Sequence, residues 1–119
     1  MVSHFGADED AAAYEPLARR SLPAAWVDRW AAAPDAPVVA EVDGSWVTAG
    51  ELEERTRRVA GRFAGAGLGP GDRILFSTAT SFDLVVAHLA AYRAGLGVVP
   101  TNTAYTEREV ARVVHDAGV

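Results

Sequence analysis

The sequence contains no cysteine and no lysine. Without cysteine there can be no disulfide, no thiolate metal ligand and no thiol nucleophile. Without lysine there is no Schiff-base amine, no phosphate-loop lysine and no lysine general base, and all 11 cationic residues are arginine. Long apolar runs are missing too. Nothing approaches the roughly 18 to 20 residues of a membrane span. The opening MVSHFGADED is acidic and lacks the basic start and apolar centre of a secretion signal. Acidic residues outnumber basic ones, for a net charge of −5. That balance disfavours nucleic acid and anionic membranes, which select clustered basic residues. Together these absences predict a protein with no membrane span in a reducing, cytoplasmic setting.

Catalytic constellations are also scarce. The histidines His4, His88 and His115 show no H-x-x-x-H spacing, so no metal site is predicted, and no nucleophile elbow or Walker loop is present. His88 lacks a serine or acidic partner at helical spacing and is read as structural. The glycines Gly67, Gly69 and Gly71 superficially resemble a dinucleotide fingerprint. They precede a strand where the fingerprint would follow one, so that reading fails on context.

What remains is ordinary for a folded α/β chain: 119 residues, half of them hydrophobic and 23% charged. Residues 1–20 read as a weakly ordered tail. Ser21 can cap a helix over 22–33, with Pro23 in its tolerant first turn. Leu22, Trp26 and Trp30 share one face of that helix. Core packing explains such a stripe better than a ligand-stacking platform. Two β-prone runs, 38–42 and 45–47, flank Asp43-Gly44, which predicts a β-hairpin with a two-residue type I′ turn.

Thr48 and Glu51 form a capping box. The helix after it carries Leu52, Val59, Ala60 and Phe63 on one side. Its outer side pairs Glu51 with Arg55, Glu53 with Arg57 and Glu54 with Arg58 at i,i+4. Arg57, Arg58 and Arg62 could form an anion site, but with those acidic partners a solvated face is the better reading. Gly61 and Gly65 would be accounted for by close packing on a neighbour.

The stretch from Gly69 to Asn102 organises the rest. GPGD turns into a strand at 74–77, Thr80-Ser81 can cap a helix running to Ala94, Gly95 can end it, and Val98-Val99 forms a second strand before Pro100. This predicts a βαβ unit, whose ligand edge would lie beyond the strand ends at 77–81 and 100–105. A second capping box, Thr106 with Glu109, opens a helix whose stripe of Val110, Val113, Val114 and Ala117 predicts that it lies on the sheet. An α/β pattern would next place a strand, so the chain is expected to be part of a larger fold.

From about Leu22 onward the pattern resembles the N-terminal portion of an AMP-forming acyl-CoA synthetase, in the adenylate-forming superfamily. The carrying features are PDAP at 34–37 and G-S-W-V-T with E-L between 44 and 52. Gly65, Gly67, Gly71 and Asp72-Arg73 follow, then A-x-L-A-A-x-R-A-G at 87–95, V-V-P-T-N at 98–102 and the helix from Thr106 to Asp116. No single piece is specific; their order and spacing are. The resemblance implies the first part of the N-terminal subdomain (residues 21–119) of a layered α/β large domain, with a β-hairpin and a βαβ unit.

It further implies a ligase of organic- or fatty-acid metabolism that uses ATP, Mg²⁺ and CoA. A small carboxylic acid becomes an acyl-adenylate, and the thiol of CoA then displaces AMP. The family's phosphate loop and catalytic lysine are not in this sequence, so no catalytic residue is assigned here and the remainder of the synthetase chain would be the partner. The loop Pro100-Thr101-Asn102 is implied to lie on the CoA side. P-T-N-T-A-Y-T is similar to a phrase of malonyl-CoA synthetases, which points to a small dicarboxylate. Two alternatives stay open: a carrier-protein thiol or oxygen as acceptor, and a stand-alone, non-catalytic α/β binding or interaction module.

Overall fold

The computed structural model describes residues 21–119. The tail read over residues 1–20, and His4 within it, lie outside the described residues. From Ser21 the order is α1 (Leu22–Ala32), β1 (Pro37–Ala40), β2 (Trp46–Thr48), α2 (Ala49–Gly65), β3 (Arg73–Phe76), α3 (Phe82–Arg93), β4 (Gly97–Pro100) and α4 (Glu107–Ala117). β1 and β2 form an antiparallel hairpin, while β3 and β4 pair in parallel with α3 between them. The mixed α/β class and the βαβ unit are as the sequence predicts.

Each helix starts where a hydroxyl can satisfy its first free amides. Ser21, Thr48, Ser81 and Thr106 accept from the backbone N–H groups of Ala24, Glu51, Leu84 and Glu109 respectively. Both capping boxes close, with Glu51 and Glu109 accepting from the N–H groups of Thr48 and Thr106 at 2.9 and 2.7 Å. α2 ends in a Schellman turn: the Leu68 N–H donates to the Phe63 carbonyl and the Gly67 N–H to that of Ala64.

The hairpin turn differs from expectation. Ala40 pairs with Trp46 and Val39 with Val47, a register that leaves a three-residue loop, Val42-Asp43-Gly44. The Gly44 N–H donates to the Glu41 carbonyl and the Glu41 N–H to that of Ser45. The left-handed residue is Gly44, at φ +86°. This is the three-residue hairpin ending in a glycine bulge, not the two-residue type I′ turn. Asp43 explains the preference, since its carboxylate accepts from both the hydroxyl and the N–H of Ser45.

The core gathers where three helices meet the hairpin. Trp30, Val47, Ala49, Leu52 and Val86 are buried together, ringed by Trp26, Val27, Val39, Val59, Phe82 and Leu89. Fully burying a side chain of the size of Leu52 or Val86 stabilises by roughly 1.5–3 kcal/mol. Trp30 is buried as the aromatic stripe predicts, with Trp26 stacked on it at 6.4 Å. Leu22, on the same stripe, is half exposed. α2 and α3 share the most extensive helix interface, and Ala90 and Ala91 in α3 are fully buried.

Two further expectations change. Added Cβ atoms at Gly61 and Gly65 would meet open space, so close packing does not account for these glycines and nothing in the structure explains them. α4 forms as predicted, yet none of its residues is buried and its valine stripe is only half covered. A two-stranded parallel pair is too narrow a platform to bury an 11-residue helix.

Candidate functional site

The strand ends of β3 and β4 lie side by side, because Phe76 is in register with Pro100. The pairing runs one step further. Both the backbone N–H and the hydroxyl of Thr101 donate to the Phe76 carbonyl, at 2.9 and 3.3 Å. Asn102 then folds the chain back on itself. Its side-chain oxygen accepts from the Ala104 N–H at 2.9 Å, and its carbonyl accepts from the Tyr105 N–H at 3.2 Å. Pro100 and Asn102 are exposed and Thr101 half-buried. The three loop residues singled out in the sequence therefore sit together on a shaped rim at the carboxyl edge of the parallel pair, where open α/β sheets take ligands.

Across the rim stands the start of α3. Ser81 is occupied by its capping bond to Leu84, and the first-turn Asp83 suits the positive end of the helix dipole. The Arg55 guanidinium covers the Phe82 ring at 5.0 Å from its centroid. A shallow groove between this helix start and the hairpin is lined by Val39, Glu41, Val42, Thr80, Ser81 and Val85, among others.

The structure gives His88 a packing role. Its Nδ1 is 2.9 Å from the Leu84 carbonyl, and its ring lies 4.9 Å from that of Phe76 and 6.5 Å from that of Tyr92. His115, near the end of α4, is exposed beside Asp116. Among the described residues no group of three or more His, Asp or Glu side chains could hold a metal ion. The sequence has no lysine, so no lysine ammonium is available to an anionic ligand among the described residues. No catalytic step is routed through them.

Three carboxylates lie below their ordinary values. Asp43 is held down chiefly by the Ser45 hydroxyl and then by the Ser45 N–H. Glu51 and Glu109 are held down by the backbone N–H of Thr48 and Thr106, helped by the same residues' hydroxyls. All three serve turns or caps.

Sequence reasoning missed the pairing of Thr56 with Arg93. Thr56, four residues after Leu52, is fully buried in the apolar face of α2. The Arg93 guanidinium donates to its hydroxyl at 2.8 Å and forms an ion pair with Glu53 at 2.9 Å. Arg57, the helical partner expected for Glu53, stands at 4.0 Å. The available signal was a polar residue inside an apolar stripe.

Residues 26–119 match the family described as "AMP-binding enzyme". The chain belongs to that family. Among its relatives is 3-hydroxybenzoate–CoA ligase of Aromatoleum sp. (strain CIB), 35% identical over 60% of this chain and 14% of the ligase. Phosphinothricin tripeptide synthetase PhsB of Streptomyces viridochromogenes is 32% identical over 82% of this chain and 8% of the synthetase. Among solved structures, apo MatB from Rhodopseudomonas palustris aligns with a TM-score of 0.68 at 36% identity, over 71% of this chain and 17% of MatB. The chain thus spans a small part of the AMP-binding enzymes it matches, and its fold aligns with part of an N-terminal subdomain solved among them.

Proposed function

We propose that the chain is the N-terminal framework of an ATP- and Mg²⁺-dependent acid–CoA ligase that works in the cytoplasm. In the whole ligase a small carboxylic acid is activated as its adenylate, and the thiol of CoA displaces AMP. One observation carries this reading: residues 26–119 hold the family's features in order, on an α/β framework shared with CoA-ligase relatives. MatB has also been solved with ATP bound, which supports ATP as the activating substrate. The phrase Pro100-Thr101-Asn102-Thr103-Ala104-Tyr105-Thr106, with its likeness to malonyl-CoA synthetases, favours a small dicarboxylate.

Within this piece the role assigned is positional. Residues 21–119 form the first part of the subdomain, and Pro100, Thr101 and Asn102 shape the rim on the CoA side. The hydrogen bonds from Thr101 to Phe76 and from Ala104 to Asn102 support that role, since they fix the rim's shape and leave its exposed faces open. A second reading keeps the adenylation and changes the acceptor to a carrier-protein thiol. Its support is the likeness to phosphinothricin tripeptide synthetase PhsB.

The test is ATP–pyrophosphate exchange by the full-length protein, driven by a panel of small mono- and dicarboxylates, followed by thioester formation with free CoA. Acid-dependent exchange with CoA thioester as product is expected. Exchange without transfer to free CoA moves the assignment to the carrier-protein acceptor. No acid-dependent exchange at all overturns the proposal, as does AMP formation by the 119-residue chain alone.

A further inference from the structure

We propose that Asp43-Gly44, at the tip of the β1–β2 hairpin, is a latent site of spontaneous backbone isomerisation to isoaspartate, and that the loop itself holds the reaction back through Ser45 and the Glu41 carbonyl. The sequence contains one Asp-Gly pair and no Asn-Gly. Glycine has no Cβ to shield its amide nitrogen, so the carboxyl of a preceding aspartate is open to attack by it. Val42, Asp43 and Gly44 are all exposed, and a Cβ on Gly44 would meet open space. The surroundings of Gly44 thus leave room for the ring that the reaction forms.

The chemistry needs water alone. With the Asp43 carboxyl neutral, the Gly44 nitrogen attacks its Cγ. A C–N bond forms, one Cγ–O bond breaks, and that oxygen leaves as water with the proton given up by Gly44. The product is a five-membered succinimide. Water then opens the ring at either carbonyl carbon. Opening at Cγ returns aspartate. Opening at the Asp43 main-chain carbonyl carbon breaks its bond to the Gly44 nitrogen. The chain then runs through Cβ and Cγ, and the former main-chain carbonyl is freed as the carboxylate.

The folded loop opposes both halves of the first step. The nucleophile is engaged, because the Gly44 N–H donates to the Glu41 carbonyl at 3.0 Å. The electrophile is engaged too. Oδ1 of Asp43 accepts from the Ser45 hydroxyl at 2.7 Å and from the Ser45 N–H at 2.9 Å. Those donors, the hydroxyl first, favour the charged carboxylate and hold it below its ordinary value. A neutral carboxyl and a free amide therefore meet when the loop opens, and exposed loop tips open far more readily than a core unfolds. Isomerisation would add a methylene to the backbone of the loop. That would disturb the register that sets Ala40 opposite Trp46 and Val39 opposite the buried Val47. The inference does not depend on the ligase reading.

The test ages the purified 119-residue chain near neutral pH, both folded and in concentrated urea. Trypsin then releases peptide 30–55, which is scored for isoaspartate by enzymatic carboxyl methylation. The unfolded chain is expected to isomerise at residue 43 at least about tenfold faster than the folded one, the combined effect of two lost hydrogen bonds. Ser45→Ala should raise the rate in the folded chain about fivefold, as loss of one such bond allows, and Ser45→Thr should restore it. Arg93→Ala loosens a contact between α2 and α3 outside the loop and should leave the rate near that of the parent. Asp43→Glu, which cannot close a five-membered ring, should give no signal. Circular dichroism checks that each variant is folded. Equal rates in the folded and unfolded chain, or a Ser45→Ala rate no higher than the parent's, would overturn the proposal. So would an Arg93→Ala rate that matches Ser45→Ala, a rise in Ser45→Ala that tracks loss of its fold, or isoaspartate in Asp43→Glu.

Discussion

The guanidinium of Arg93, at the last turn of α3, reaches across the helix interface to Glu53 of α2, with Nη2 2.9 Å from Oε1. Its Nη1 donates to the Glu53 carbonyl at 3.1 Å and to the Thr56 hydroxyl at 2.8 Å. That hydroxyl donates in turn to the Leu52 carbonyl at 2.8 Å. The Arg93 and Glu53 side chains are only 15% and 27% exposed, so the pair is neither a surface bridge nor a fully dry one.

Removing one partner from such a site leaves the other poorly solvated. Breaking a buried pair costs about 3–5 kcal/mol and an exposed one under about 1 kcal/mol. Arg93→Ala should therefore destabilise the chain by roughly 1–3 kcal/mol, measured by urea unfolding. Thr56→Val, which keeps the volume but removes the bond accepted from Arg93 and the one donated to the Leu52 carbonyl, should cost about 1–3 kcal/mol. A double-mutant cycle should show the two changes to be coupled. Strict additivity would mean that the contact contributes nothing.

This contact also marks where sequence reasoning stopped. The helices and their starts were legible because Ser21, Thr48, Ser81 and Thr106 act on amides three residues away. The βαβ unit was legible because its apolar runs are short and bounded by Gly71, Gly95 and Pro100. The link from Arg93 to Glu53 and Thr56 spans about 40 positions and depends on how two helices cross, which periodicity does not encode. The hairpin turn was misread because Asp-Gly serves two turn types, and a side-chain bond from Ser45 decides between them. At the rim, the family resemblance drew attention to Pro100, Thr101 and Asn102. The clasp on the Phe76 carbonyl appears only once the strands are in register.

Gly95 and Gly67 separate two effects that a glycine-to-alanine change usually mixes. Both have left-handed φ values, +75° and +88°. A Cβ on Gly67 would meet open space, whereas one on Gly95 would lie 3.1 Å from the Pro70 Cβ. Gly67→Ala should cost about 1–2 kcal/mol from backbone strain alone. Gly95→Ala should cost more, because the 69–72 turn must shift, and it should also disturb the bond from the Gly71 N–H to the Gly95 carbonyl. Comparing the two midpoints in guanidinium checks this, and equal losses would refute the steric part.

The capping carboxylates predict an acid-side loss of stability. Glu51 and Glu109 sit below their ordinary value of 4.5 in the folded chain, through bonds to Thr48 and Thr106. A depressed folded value means that the unfolded chain takes up protons first. The stabilisation is thus fully present above about pH 4.5 and is lost as the pH falls through the folded values. Thermal melts followed by circular dichroism should show Tm falling over that range. The E51Q/E109Q variant should show a lower Tm at neutral pH and a shallower acid slope. An unchanged slope would place the acid sensitivity elsewhere.

Asn102 offers the sharpest test of the rim. Its side-chain oxygen holds the Ala104 N–H, so Asn102→Ala frees the 102–105 turn while leaving the strand pairing through Thr101 and Phe76 intact. Asn102→Asp keeps an acceptor at the same place and should restore the turn. In the full-length ligase proposed above, a rim that shapes the acceptor side affects the second half-reaction. Loss of positioning on the scale of an ångström costs up to about a hundredfold. Asn102→Ala should therefore slow thioester formation by about tenfold or more and leave acid-dependent ATP–pyrophosphate exchange within about twofold of the parent. Asn102→Asp should recover most of the loss. If exchange and transfer fall together in Asn102→Ala, the turn supports the fold and not the acceptor. If neither falls, the rim lies away from the path of the thiol.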